Sequence, residues 1–527
     1  MRIKYMMAGA LAALTAFTSF ASDVKIPKNA AEDTGNIMTQ KYWDIWNPEL
    51  QKRIDADIEA NRKADAVVNV GQVKDGTQVV VEQISHDFIF GAHIFNFDQL
   101  GNPALDAKYK ALYGTLFNSA TVSFYWQQLE MQQGRPRFNS EYWDGQKFWA
   151  ETKSPKTEPH WRRPAPENVI KFCKQMGIRI HGHPLIWDNR SWHMPAWLIK
   201  SCLTDPKERE AFEKEMLKAY PVYGNKSLSE QYTEAFKNTT PQQLSEKFPV
   251  FAENLNRAFE KRIRGIAEYY GDTVDSWDVV NESAAAYSKG RFDEAKGATL
   301  MKTFGDWGGL MPSDFTYKSF QTAQKSFPEK VKLNINDYFI KPGYRKQVQE
   351  LIARGCKIDI VGAQMHLFNP KTSQEVSEGK IPEGINPKDV YEAMKTIDVG
   401  RPIHLSEITI TAVDTTERGR MIQAIITRNI YRLWFSIKPL MGITWWNVVD
   451  DCGAPGEPSL SGLFTRGMNP KPAFYALDEL INREWRTNLS ASPDADGNVK
   501  FRGFKGKYRL SWFDKDGKEQ FKIVNVK

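Results

Sequence analysis

The chain has 527 residues, 41% of them hydrophobic and 26% charged, with a formal net charge of +7. That balance excludes a disordered or fibrous chain and supplies a core for one large domain with additions. The basic excess is spread along the chain, with no basic run or aromatic-interleaved arm of the kind that grips nucleic acid. Aromatics reach 12%, including 16 Trp. Most of these fill a core, although abundant Trp is also what a sugar-stacking site requires.

Residues 1–21 read as a secretory signal peptide. Arg2 and Lys4 precede an apolar run too short for an anchor, and Ser19-Phe20-Ala21 offers small residues for cleavage. Export to the periplasm or the exterior is therefore expected, with no later membrane span. The four cysteines, Cys173, Cys202, Cys356 and Cys452, match no zinc spacing. They leave three disulfide connectivities open beside buried free thiols.

Residues 22–85 are expected to form a small N-terminal extension. Asn47–Ala66 is rich in Glu, Lys, Arg and Ala and reads as a helix. Val67–Glu82 alternates on both sides of Asp75-Gly76, the signature of a β-hairpin.

From residue 86 to 483 short apolar runs alternate with amphipathic stretches. Eight runs read as strands: Phe88–Ile94, Ser119–Phe124, Arg179–Trp187, Val274–Asn281, Val331–Asn336, Ile358–His366, Pro402–Ile410 and Gly442–Asn447. Near-continuous apolar strands separated by helices predict a parallel sheet covered on its faces, and eight such units predict an α/β fold of the (β/α)8 TIM-barrel type. Gly145–Arg163 and Ser201–Gln243 read as insertions over its top or flank. Residues 484–527 alternate with turns at Ala495-Asp496-Gly497 and Asp514-Lys515-Asp516-Gly517, predicting a small C-terminal all-β appendage.

Reactive groups in such a barrel sit at the C-terminal ends of the strands. The fourth predicted strand ends Trp277-Asp278-Val279-Val280-Asn281-Glu282, and the seventh ends His404-Leu405-Ser406-Glu407. Each delivers a carboxylate to the same rim. A lone glutamate is more often a surface or ion-paired residue. Two facing glutamates are the minimum equipment for glycoside hydrolysis. Eight His without a His-Glu-x-x-His or similar cluster imply no metal and no cofactor.

With these motifs the chain resembles glycoside hydrolase family 10, mostly endo-β-1,4-xylanases, from about Phe88 to Ile481. The resemblance rests on Gly182-His183-Pro184-Leu185-Ile186-Trp187, Trp277 to Glu282, Asn336-Asp337-Tyr338, Gln364-Met365-His366, Ser406-Glu407, and Trp446 with Asp450 and Lys471-Pro472-Ala473. It implies Glu407 as nucleophile and Glu282 as acid/base, with retention of configuration through carboxyls roughly 5–5.5 Å apart. It also implies substrate contacts at His183, Trp187, Asn281, Tyr338, Gln364, His366 and Trp446. The implied partner is a polysaccharide or oligosaccharide.

Four positions depart from the family pattern. The Glu-Asn-x-x-Lys-Trp stretch of the second strand is Thr121-Val122-Ser123-Phe124-Tyr125-Trp126, which removes the polar groups that read xylose. Asp188 stands where His follows the third-strand Trp. Thr409 replaces the Asp two residues after the nucleophile, predicting a less cationic His366. Ala454 replaces a second tryptophan. The catalytic pair is kept while its surroundings are rebuilt. The expected function is a retaining hydrolase of xylan or decorated xylan. The alternatives are a retaining β-glycosidase for a non-xylan glycan or bulky β-glycoside, and a carbohydrate-binding protein whose catalysis has decayed.

Overall fold

The structure is a computed structural model, and it describes residues 24–74, 76–138, 146–219, 228–288, 310–380 and 385–527. The predicted signal peptide lies outside them. Among the described residues no helix is long and apolar enough to cross a membrane, and all four cysteines are free and buried.

Fifteen strands are described, β1 to β15 in chain order. The barrel is made of β3 (Ile89–His93), β4 (Ser119–Ser123), β5 (Arg179–His183), β7 (Ser276–Asn281), β8 (Lys332–Asp337), β9 (Ile360–Leu367), β10 (Ile403–Ile410) and β11 (Leu440–Trp445). Neighbours pair in parallel, β11 pairs with β3, and β5 pairs with β7 through His181 and Gly182. The sheet therefore closes as an eight-stranded barrel. Its strands are buried along nearly their whole length, β10 at all eight positions, as a sheet covered by helices requires.

Two features set the geometry at the barrel's mouth. The predicted third strand is interrupted: Pro184, which has no N–H to give a ladder, separates β5 from the short β6 (Ile186–Trp187). Beneath it, Gly182 makes room for a ring, since a Cβ there would lie 2.2 Å from Cε3 of Trp277. Register shifts also interrupt the β7–β8 ladder between Asp278 and Val280, and the β10–β9 ladder between Leu405 and Glu407. Such bulges bend a strand and re-aim the side chains that follow. Both precede a candidate glutamate.

The N-terminal extension departs from expectation. Its helix spans Pro48–Arg62, capped by the Asn47 side chain, and runs into β1 (Lys63–Asn69). β1 does not pair with β2 (Val79–His86) as a hairpin, and Asp75 lies outside the described residues. Instead β1 pairs antiparallel with β13 (Asn498–Phe504), from Lys63 against Phe504 to Asn69 against Asn498. β2 lies between β12 (Asn488–Ala491) and β14 (Gly506–Phe513), with β15 (Glu519–Val526) outside β14. Alternation identifies a strand but does not name its partner. Val68, Val79, Val81, Val499, Tyr508 and Leu510 share one small core, so strands β1, β2 and β12 to β15 form a single all-β unit. Phe504 of β13 meets Phe435 at 6.1 Å, and Trp485 stacks on the same Phe435 at 4.1 Å and on Phe90 at 5.7 Å, which joins that unit to the barrel.

The insertion around residues 201–243 forms helices Pro206–Ala219, Leu228–Phe236 and Pro241–Lys247. Phe212 packs against Phe236, Phe248 and Phe251, which seats this insertion against the helix Pro249–Tyr270 on the barrel's flank.

Candidate active site

A cavity of about 980 Å³ opens at the C-terminal ends of the barrel strands. Its wall includes all nine residues singled out from the sequence: His183, Trp187, Asn281, Glu282, Tyr338, Gln364, His366, Glu407 and Trp446. Tyr338 is exposed at the rim, whereas Trp446 and Glu407 are buried.

The register of the strands explains how the two glutamates meet. Glu407 on β10 stands directly opposite Gln364 on β9, and Asn281 on β7 opposite Asn336 on β8. Glu282 follows the end of β7 with φ of 54°, a left-handed conformation that a non-glycine residue adopts only where its surroundings hold it. Here the Glu282 N–H donates to the Asn336 carbonyl at 2.8 Å. From opposite sides of the barrel the two carboxylates then share one donor. Gln364 Nε2 donates to Glu282 Oε1 at 3.1 Å and to Glu407 Oε1 at 3.2 Å. Those two oxygens therefore lie no farther apart than the two bonds laid end to end.

The remaining contacts fix Glu407. Asn336 Nδ2 donates to its Oε1 at 2.8 Å and to Asn281 Oδ1 at 2.9 Å. Ser406 Oγ donates to Asn336 Oδ1, which sets the amide's orientation. His183 Nε2 lies 3.7 Å from Glu407 Oε1, and His366 Nε2 3.5 Å from Oε2. His183 is held in turn by Asp278 Oδ2, 2.7 Å from its Nδ1, and His181 Nε2 contacts the same oxygen at 2.9 Å. Burial alone would raise the Asp278 carboxyl, but the two histidines hold it well below the usual range.

Electrostatics divide the pair. Burial, then the nearby Glu407 and Asp337, pushes Glu282 from 4.5 up to about 8. Burial also raises Glu407, to about 7, against the opposing pull of His183. Glu407 is thus the first to lose its proton. His366 Nδ1 meets Thr409 Oγ1 at 2.9 Å, a neutral partner, and burial lowers its pKa to about 4. Thr409 brings no charge to the ring, and burial is the cause of the lowering.

Several lining residues escaped the sequence reading. Arg162 and Arg163, at the end of the Gly145–Arg163 insertion, reach the cavity, as do Tyr125, Asn189 and Glu457. Glu457 accepts from Trp446 Nε1 at 3.2 Å, Asn447 Nδ2 at 2.9 Å and the Ala454 N–H at 2.7 Å. It therefore braces Trp446 from the loop in which Ala454 replaces the second tryptophan. Asp450 and Lys471 are brought together differently, as a buried ion pair of 2.9 Å behind the cavity wall.

The family model for glycosyl hydrolase family 10 matches residues 224–480, which carry β7 to β11 and both glutamates. The chain is family 10-like. The match begins after β5, so the departures on β4 and after β6 fall outside it. Among similar proteins, endo-1,4-beta-xylanase C of Paenibacillus barcinonensis is 23% identical over 364 residues, covering 63% of this chain and 28% of that one. Endo-1,4-beta-xylanase A of Halalkalibacterium halodurans is 26% identical over 215 residues, covering 40% and 42%. The chain thus spans less than half the length of these two curated relatives. Native xylanase 10B from Thermotoga maritima superposes with a TM-score of 0.49 at 18% identity, over 76% of this chain and 96% of that one.

Proposed function

We propose that this family 10-like chain is an exported retaining glycoside hydrolase that cleaves β-linkages in a plant-type polysaccharide, xylan or decorated xylan. The observation that carries the reading is the bridge of Gln364 between Glu282 and Glu407. With legs of 3.1 and 3.2 Å it keeps the bridged oxygens within about 6.3 Å. Two carboxyls sharing one amide donor are a closely spaced pair, which suits a double displacement, whose carboxyls stand roughly 5–5.5 Å apart.

In that reaction Glu407, ionised first, attacks the anomeric carbon. Glu282, still protonated near neutrality, gives its proton to the departing oxygen. A covalent glycosyl-enzyme results. Glu282 then takes a proton from water, which attacks the same carbon and frees the sugar with its configuration retained. Asn281 Oδ1 already accepts from Asn336 and Gln364, so its amide nitrogen is the group left to hold the 2-hydroxyl. Trp446 and Trp187 offer faces for stacking, and His183 and His366 flank the nucleophile. The relatives' names support xylan as the backbone.

The test is hydrolysis by the wild type and Glu407→Gln of xylan, glucuronate-bearing xylan, β-glucans and aryl β-glycosides, with product anomers followed by NMR. Release of β-anomer by the wild type and its loss in the variant is the expected result. An α-anomer as first product overturns the double displacement. Binding of glycans by the wild type without any turnover overturns hydrolysis itself and makes the barrel a receptor.

A further inference from the structure

Two arginines line the cavity where the sequence has lost its polar second-strand residues. Thr121 and Val122 are buried in the barrel wall, and Tyr125 turns its ring toward the cavity. The Arg163 guanidinium lies over that ring, 3.7 Å from its centroid. Tyr125 in turn meets His183 edge-on at 5.5 Å, and His183 reaches Glu407 at 3.7 Å. Tyr125 also meets Trp187 edge-on at 5.8 Å, and Trp187 hydrogen-bonds Glu282, so the same ring adjoins both members of the catalytic pair. The stack of Arg163 on Tyr125 therefore stands beside the catalytic pair.

The two arginines differ in what holds them. Arg162 is engaged: Nη1 lies 3.5 Å from Glu457 Oε2, and Nη2 lies 3.2 Å from both Asn447 Oδ1 and His93 Nε2. Arg163 is only 7% exposed, and its side chain makes one hydrogen bond among the described residues, from Nη1 to the Arg162 carbonyl at 3.0 Å. Its Nε is buried without a partner, and no described carboxylate lies within ion-pair distance. Burial lowers it only to about 10, so it is a cation at any pH where the enzyme works. A buried guanidinium without a counter-ion is costly to the fold. A planar five-donor fork is also the group best suited to an incoming oxyanion. Glu457 acts on it only from beyond ion-pair distance, and the two nearest candidates on this wall are already engaged. Glu457 is occupied by Arg162 and three hydrogen bonds, and Glu407 by Asn336 and Gln364.

We propose that Arg163, seated on Tyr125 and backed by Arg162, receives the oxyanion of an acidic sugar, a uronate carboxylate or a sulfate ester, in the cavity beside the catalytic pair. This rests on the hydrolase reading above and names its substrate class: a β-linked glycan carrying negative charge. A neutral pentose offers the Arg163 guanidinium no charge. An acidic residue supplies the missing half of a charge-assisted pair, the kind of difference by which a polar site rejects analogues that lack a group.

The test separates binding from turnover. Calorimetry on the wild type and on Glu407→Gln compares a xylo-oligosaccharide bearing a glucuronate branch, its methyl ester, and a sulfated counterpart. The acid is expected to bind at least about tenfold tighter than its ester, with the advantage shrinking in high salt. A preference for the sulfated probe over the carboxylate assigns the site to sulfate esters, and the reverse assigns it to uronates. Arg163→Gln and Arg163→Lys then test the residue. The acid-to-ester ratio is expected to fall toward one in Gln and to be partly kept in Lys. Equal binding of acid, ester and sulfate by the wild type overturns the proposal without any variant needing to fold. Turnover of neutral substrates in that case leaves the hydrolase reading standing. Selective binding of the acid with no turnover of anything overturns the hydrolase reading and keeps the anion site.

Discussion

Glu282 carries a measurable cost to the fold, because a carboxyl raised from 4.5 to about 8 resists ionisation in the native state. Its native form holds a proton over a pH range in which the unfolded chain has released it, so stability falls as pH rises from about 4.5 through about 8. At pH 7 the native carboxyl is held protonated about 2.5 pH units above the unfolded one's pKa, or about 3 kcal/mol at 1.36 kcal/mol per unit. Glu282 borders the cavity and is only partly buried, so solvent lowers this to about 1–3 kcal/mol. Glu282→Gln keeps an oxygen for the Gln364 amide and removes the titration. The variant should match the wild type near pH 4 and exceed it by about 1–3 kcal/mol at pH 7–8. Urea unfolding at half-unit steps of pH measures the difference directly. Parallel curves, with the variant no better at pH 8 than at pH 4, would refute the claim that burial and Glu407 keep Glu282 protonated.

The same pair predicts a narrow activity profile: kcat/KM should rise as Glu407 ionises near pH 7 and fall as Glu282 loses its proton near pH 8. A flat profile from pH 5 to 10 would contradict it. Thr409→Asp puts a carboxylate on His366 Nδ1 and should move that imidazole from about 4 back toward 6.5, read from its ring proton shift by NMR; an unmoved titration would mean burial alone governs it. Gly182→Ala places a methyl 2.2 Å from the Trp277 ring and should lower stability by about 3 kcal/mol. Gly265→Ala, on the helix Pro249–Tyr270 with nothing within 4 Å, should be neutral or stabilising by up to about 1 kcal/mol. Equal effects of the two changes would argue against close packing beneath the active site.

The barrel was legible because each strand is a buried apolar run, and because the polar residue ending a run marks the mouth. Glu282 and Glu407 follow from that rule and from the motifs around them. Arg162 and Arg163 do not, because they end an irregular insertion with no periodicity to say which way it points. Glu457 was hidden for a similar reason, in a Gly/Pro-rich loop eleven residues beyond the Trp446 it supports. The bulges before Val280 and Glu407 leave no trace in composition, yet they help to aim both carboxyls. Val67–Glu82 shows the limit of local pattern most clearly. Its alternation marked two strands, but β1 and β2 pair with partners more than four hundred residues away.

That long-range pairing makes the chain nearly a ring. Lys63 faces Phe504 and Val81 faces Leu510, so the backbone leaves this seam, travels once around the barrel and returns to it. Contacts of such separation are slow to form, and β1 and β2 wait unpaired until the last strands arrive. Once shut, the seam holds both extremities of the path together. A single backbone cut at an exposed barrel loop would then yield two fragments clasped at the seam as well as across the barrel.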